Sequence, residues 1–125
     1  MLLASFAGNA LATSNHDVNG VVYKNGNWVF YNTSRCMTAS GHYPKLNLFT
    51  WAGDNAAMYF YIRDSTTGIA LGSYTQASPR QFPLHDTGVK DFGNLAVTHC
   101  FKFAARKDGF FLASGTEDWT GNANY

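Results

Sequence analysis

Hydrophobic and polar residues alternate in short stretches along most of the chain, which is the pattern of β-strands that bury one face. No long stretch keeps the i, i+3, i+4 spacing of apolar residues that an amphipathic helix requires. About seven alternating segments occur, separated by turn residues roughly every 8–12 positions, as in sandwiches and small barrels. The sequence therefore predicts an all-β fold in a single domain, either an antiparallel β-sandwich or a small barrel.

The clearest pair of strands surrounds Asn25-Gly26. Residues 21–24 and 27–31 are rich in β-branched and aromatic side chains. An Asn-Gly pair adopts the positive φ angles of a type I′ turn. We expect a two-residue hairpin at this position.

A second hairpin is predicted from residues 45–51 and 57–63, which flank a loop at 52–56. In the expected register, one face of this hairpin is aliphatic and the other is aromatic with polar neighbours. The aromatic face carries the predicted ligand-binding residues, Asn47, Phe49, Trp51, Tyr59 and Tyr61. Aromatic rings can stack on the apolar faces of sugars while amides bind the hydroxyls, and Tyr and Trp are also enriched at protein interfaces. The alternative is that both faces of the hairpin are buried inside the protein.

The second half of the chain is less regular. Residues 76–92 contain two prolines and are predicted to form a long irregular loop. Residues 95–104 alternate as a strand, and residues 110–113 are expected to return as the last strand. Residues 115–125 are interpreted as a polar tail with Trp119 as its only large apolar anchor.

The N-terminus is apolar and rich in small residues. Residues 1–12 end on an Ala-x-Ala pattern that resembles a signal peptidase site. They are interpreted as a signal remnant or as an N-terminal arm, followed by one β domain at 13–125. An arm of this kind could lend a strand to a neighbouring copy of the chain.

Composition narrows the classes of partner. Charged residues make up 14% of the chain, the net charge is +1, and no run of Lys and Arg occurs, which argues against nucleic-acid binding. No apolar run is long enough to span a bilayer. The two cysteines, Cys36 and Cys100, predict a disulfide in an oxidising compartment, with two buried free thiols as the alternative.

Candidate catalytic chemistry is sparse. His16-Asp17 and His85-Asp86 are adjacent pairs, but neighbouring residues on a strand point to opposite faces. No nucleophile elbow, phosphate-binding loop, dinucleotide fingerprint or zinc-ligand spacing is present. We therefore expect no catalytic residue, no cofactor and no metal site.

These features together predict a non-enzymatic binding domain that is secreted, periplasmic or displayed on a cell or virion surface. Its expected partner is a glycan or a protein, bound by aromatic, Asn and Thr side chains. One alternative is a self-assembling structural subunit of a fibre, pilus-like or virion assembly that uses the N-terminal arm. Another is a small secreted enzyme that combines His85 with a carboxylate.

Overall fold

The computed structural model describes residues 15–38, 43–53, 56–86 and 88–125, and all regular structure within them is β. The ten strands are β1 (Asn15–Tyr23), β2 (Val29–Phe30), β3 (Arg35–Cys36), β4 (Lys45–Thr50), β5 (Met58–Asp64), β6 (Ala70–Leu71), β7 (Arg80–Phe82), β8 (Lys90–Asp91), β9 (Cys100–Lys107) and β10 (Thr116–Asn124). Residues 1–12, where the sequence predicts a signal remnant or an arm, lie outside the described residues.

The strands form two antiparallel sheets that pack against each other, which confirms the predicted all-β fold and, of its two predicted forms, matches the sandwich. Sheet A has the strand order β1-β10-β4-β8. Sheet B has the order β2-β9-β5-β6, with β3 also pairing with β9 and β7 with β5. The central strands of the two sheets, β10 and β4 in one and β9 and β5 in the other, therefore enclose the core.

Both predicted hairpins are wrong, because each connection crosses from one sheet to the other. The Asn25-Gly26 turn does form: Gly26 N donates to Tyr23 O at 3.2 Å, and the φ of Gly26 is 86°. After the turn, however, β1 pairs with β10 and β2 pairs with β9. In the same way β4 belongs to sheet A and β5 to sheet B. Alternation shows which side chains face inward, but it does not select the neighbouring strand.

The C-terminal part of the chain also differs from the prediction. Residues 110–113 lie in the loop between β9 and β10 and form no strand. The predicted polar tail contains β10, which lies between β1 and β4. Its inward positions after Trp119 are the small residues Gly121 and Ala123, so the strand has too little hydrophobic alternation to be recognised.

The core is built around a chain of aromatic rings. Trp119 from sheet A meets Phe60 from sheet B edge to face, with ring centroids 5.0 Å apart. Phe60 contacts Phe82 at 5.2 Å, and Phe92 contacts Phe82 at 6.5 Å and Phe103 at 5.7 Å. Edge-to-face and tilted pairs of this kind add about 0.5–1.5 kcal/mol each beyond the burial of apolar area.

One hydrogen-bonded chain connects the buried indole to the surface. Trp119 Nε1 donates to Tyr31 Oη at 2.8 Å, and Tyr31 Oη donates to Val21 O at 2.6 Å. Gly20 leaves the space that this arrangement needs, because a Cβ there would lie 2.8 Å from Trp119 Nε1 and equally close to the Tyr31 ring. The indole N–H is thus satisfied at a point where sheet A and the segment after β2 meet.

Cys36 and Cys100 form a disulfide, as predicted. The two residues are register partners on β3 and β9, so the bond joins a short edge strand to a central one. The bridge spans a sequence separation of 64 residues, which corresponds to about 4 kcal/mol of restricted unfolded-chain entropy.

Replacing Tyr31 with Phe is expected to lower the free energy of unfolding by about 2 kcal/mol, because the buried indole N–H of Trp119 loses its acceptor. Urea denaturation of the wild type and the variant measures this difference. Tyr23→Phe removes the hydroxyl of an exposed tyrosine on β1 and is the matched control, which should not change the free energy of unfolding. Equal losses in the two variants would contradict the assignment.

The same hydroxyl makes the stability pH-dependent. Burial raises the pKa of Tyr31 from its ordinary value of 10.0 to about 12, against the opposing effect of the Trp119 hydrogen bond. Above pH 10 the unfolded chain releases a proton that the folded protein retains, so this contribution is complete below pH 10 and is lost towards pH 12. The stability difference between the wild type and Tyr31→Phe should therefore narrow over this window in denaturation series. A constant difference would show that the phenol does not titrate as its burial implies.

Candidate binding site

The five predicted ligand-binding residues do not share one surface. Asn47 and Phe49 lie on β4 in sheet A, whereas Tyr59 and Tyr61 lie on β5 in sheet B. Trp51 lies in the loop after β4. The structure therefore brings together only the two tyrosines, since the hairpin that would have united all five does not form.

On sheet A, the outward side chains near the predicted residues are small and polar. Asn47 is the register partner of Asn122, and the hydroxyls of Thr50 and Thr120 lie 2.9 Å apart. Phe49 has no register partner on β10, because the pairing shifts at this point, and its side chain is 54% exposed. This face thus carries one isolated ring beside polar groups that hydrogen-bond to each other.

Trp51 contributes to packing. It is half-buried, packs against the core, and its ring lies 6.0 Å from that of His85. Its Nε1 is buried without a hydrogen-bond partner among the described residues. The ring therefore contributes to packing, and only part of it is exposed to solvent.

Sheet B carries a continuous cluster of rings and guanidinium groups on its outward side, which we call the aromatic–arginine face. Its members come from β5, from β9 and from the segment that contains β2. They are Trp28, Phe30, Tyr59, Tyr61, Arg63 and Arg106.

Strand pairing explains how these side chains converge. Ala104 on β9 is the register partner of both Phe30 and Tyr61, so a small residue separates two large ones. Trp28 meets Tyr61 edge to face with ring centroids 5.1 Å apart. Tyr61 is consequently 4% exposed, although it points away from the sandwich core, and the other rings form the outer surface above it.

The arginines stack on this aromatic layer. The guanidinium carbon of Arg106 lies 4.2 Å from the centroid of Tyr59 and 5.6 Å from that of Trp28. Arg63 lies 5.1 Å from the centroid of Phe30. Cation–π contacts hold both planar groups against the rings. Arg63 also donates from Nη2 to Tyr31 O at 3.3 Å, and its Nε is buried without a partner among the described residues.

The electrostatics of the face favour acceptor groups in a ligand. Arg106 forms only a 3.7 Å ion pair with Asp108 among the described residues. Tyr59 Oη donates to the same carboxylate at 3.2 Å. Burial, followed by the charge of Asp108, raises the pKa of Tyr59, and burial also raises the pKa of Tyr61. Both phenols therefore stay neutral across the physiological range, so the arginines supply the positive charge of the face.

His85 and Asp86, the adjacent pair considered for the enzyme alternative, have different partners in the structure. Asp86 pairs with Lys90 at 2.7 Å, while His85 lies against Trp51. Among the described residues, the carboxylate that contacts a histidine is that of Asp64, whose Oδ2 is 2.9 Å from His99 Nε2.

Asp64 also organises its own turn. Its Oδ1 accepts from the backbone N–H groups of Thr67 and Thr66 at 2.7 and 2.8 Å. The Thr67 N–H, then His99, then the Thr66 N–H lower the pKa of this carboxyl well below its usual range. These contacts explain the pair as a cap on the turn after β5. Sequence reasoning missed it because the partners are 35 residues apart.

Four members of the aromatic–arginine face were not among the predicted site residues: Trp28, Phe30, Arg63 and Arg106. The sequence does indicate part of this face, because residues two apart on a strand point the same way. Trp28 and Phe30 therefore share a face, and so do Tyr61 and Arg63. Their union depends on β9, which lies between β2 and β5 and which local spacing cannot place.

Comparison with family models, with curated proteins and with solved structures gave no match. Within the described ranges, no helix is long and apolar enough to cross a membrane.

Trp51→Ala is expected to lower the free energy of unfolding by about 2–3 kcal/mol, because the ring is packed against the core. Phe49→Ala, two residues away on the exposed side of sheet A, should change it by less than about 0.5 kcal/mol. Thermal or urea denaturation of both variants makes the comparison. An unchanged unfolding midpoint for Trp51→Ala would show that the ring does not stabilise the core and would restore it as a candidate binding residue.

Proposed function

We propose that the chain is an extracytoplasmic, non-enzymatic domain that binds carbohydrate through the aromatic–arginine face. The observation that carries the proposal is the stacking of Arg106 on Tyr59 and Trp28, and of Arg63 on Phe30. Of the predicted site residues, the proposed surface retains Tyr59, while Tyr61 supports the outer rings from beneath. Asn47, Phe49 and Trp51 are not part of it.

The chemistry of this face suits a sugar. A pyranose ring has an apolar face of C–H groups that packs on aromatic rings, and an edge of hydroxyl or carboxylate oxygens. Arg106 offers in-plane N–H donors next to the rings of Trp28 and Tyr59. One surface therefore supplies both the stacking and the donors that orient the ligand.

The Cys36–Cys100 disulfide supports an extracytoplasmic location, which we propose to be secretion, the periplasm, or a cell or virion surface. Disulfides persist in oxidising compartments and are rare in the cytosol of most organisms. A bond between paired residues of β3 and β9 stabilises the sheet that carries the aromatic–arginine face.

The proposal is tested by binding to immobilised polysaccharides, with neutral dextran and uronate-rich polygalacturonate as the probes. Trp28→Ala and Arg106→Gln are each expected to weaken the binding of whichever polysaccharide the wild type binds by about tenfold, since each removes a stacking or donor group. Phe49→Ala, an exposed aromatic residue on the opposite sheet, is the matched control and should bind as the wild type does.

Unfolding midpoints of all variants accompany the binding measurements, so that loss of structure is separated from loss of contact. If Phe49→Ala abolishes binding while Trp28→Ala and Arg106→Gln leave it intact, the binding site lies on sheet A and the proposal is wrong. Failure of the wild type to bind a broad array of neutral and acidic glycans would contradict a carbohydrate function altogether.

A further inference from the structure

The loop at 108–115 between β9 and β10 presents three consecutive apolar side chains to solvent. Phe110, Phe111 and Leu112 are 62%, 76% and 70% exposed. Isolated exposed hydrophobic residues are common on soluble proteins, whereas adjacent large ones indicate a contact surface. We call these three residues the apolar tip.

Backbone hydrogen bonds hold the apolar tip in its exposed position. Phe110 N donates to Lys24 O at 3.2 Å, and Lys24 N donates to Gly115 O at 3.0 Å. Within the loop, Ala113 N donates to Phe110 O at 2.8 Å. The two ends of the segment are therefore fixed to the β1–β2 turn, and the three side chains between them project outward.

We propose that the apolar tip inserts into the surface of a lipid bilayer. It lies at the end of the sandwich that follows Lys107 on β9, where the chain turns back into β10. Aromatic and aliphatic side chains at such a position can enter the boundary between head groups and acyl chains without any membrane-spanning segment.

The size and shape of the apolar tip favour a bilayer over a protein partner. Two Phe and one Leu at these exposures offer roughly 400 Å², since a fully exposed aromatic side chain contributes about 150–250 Å². A stable protein interface needs about 800 Å² on each side. The residues that flank the tip, Gly109 and Ala113, are small, and Asp108 and Ser114 beyond them are polar and exposed, so the apolar area does not continue along the chain.

The local charge indicates which lipids are bound. Lys24 and Asp108, both exposed, have opposite charge and lie near the apolar tip. Lys107 is paired with Glu117 at 2.9 Å, so it adds no free positive charge. Insertion should therefore occur in neutral phosphatidylcholine and should not require anionic lipid.

The test is co-sedimentation of the full chain with phosphatidylcholine vesicles, with and without added phosphatidylserine. The wild type should bind both, and Phe110→Ser/Phe111→Ser/Leu112→Ser should bind about tenfold or more weakly. Ile69→Ser is the control, because Ile69 is 68% exposed in the turn after β5, at the opposite end of β9. It should bind vesicles as the wild type does.

A second measurement does not depend on the triple variant. Phe111→Trp should show a blue-shifted emission on addition of vesicles, and brominated lipid should quench it, relative to the wild-type signal. Wild-type protein that fails to bind phosphatidylcholine, or that binds only anionic vesicles and is released by salt, would overturn the proposal. If light scattering shows that the wild type forms oligomers and the triple variant is monomeric, and neither binds vesicles, the tip contacts a second copy of the chain instead.

This inference is independent of the carbohydrate proposal, because the apolar tip shares no residue with the aromatic–arginine face. The triple variant should retain polysaccharide binding, and Arg106→Gln should retain vesicle binding. Each proposal can therefore fail without the other.

Discussion

The burial of one indole, Trp119, fixes how the two sheets meet. Its ring is fully enclosed and contacts Phe60 on the opposite sheet, while its N–H is satisfied by Tyr31. A buried Trp requires both an apolar envelope and an acceptor at one defined point. Gly20 is required beside it because no side chain fits there. Segments that are far apart in the sequence are thus held in one arrangement by a single side chain.

Local patterning was a good guide to which residues face inward. The aliphatic face predicted for residues 45–51 and 57–63 is buried, including Leu46, Leu48 and Phe60. Strand partners were not predictable in the same way, because an Asn-Gly turn can join neighbours in one sheet or connect two sheets. β10 escaped recognition for another reason: its small inward residues do not give a hydrophobic signal.

The candidate site shows the same division. Tyr59 and Tyr61 share a face because successive side chains on a strand alternate, and no tertiary information is needed to infer this. Phe49 was expected to join them through a hairpin of β4 and β5, and it does not, because that hairpin does not form. The approach of Phe30 and Trp28 depends on β9 and on the small Ala104 between large rings, which only the assembled sheet reveals.

The position of β10 has a consequence for how the protein is made. β10 pairs with β1 along nine residues, from Asn15 with Asn124 to Tyr23 with Thr116, and it also pairs with β4. It is the last of the described strands to be synthesised, yet it occupies the interior of sheet A. The ladder between β1 and β10 therefore closes only after the strands between them have emerged, and such non-local pairing slows folding.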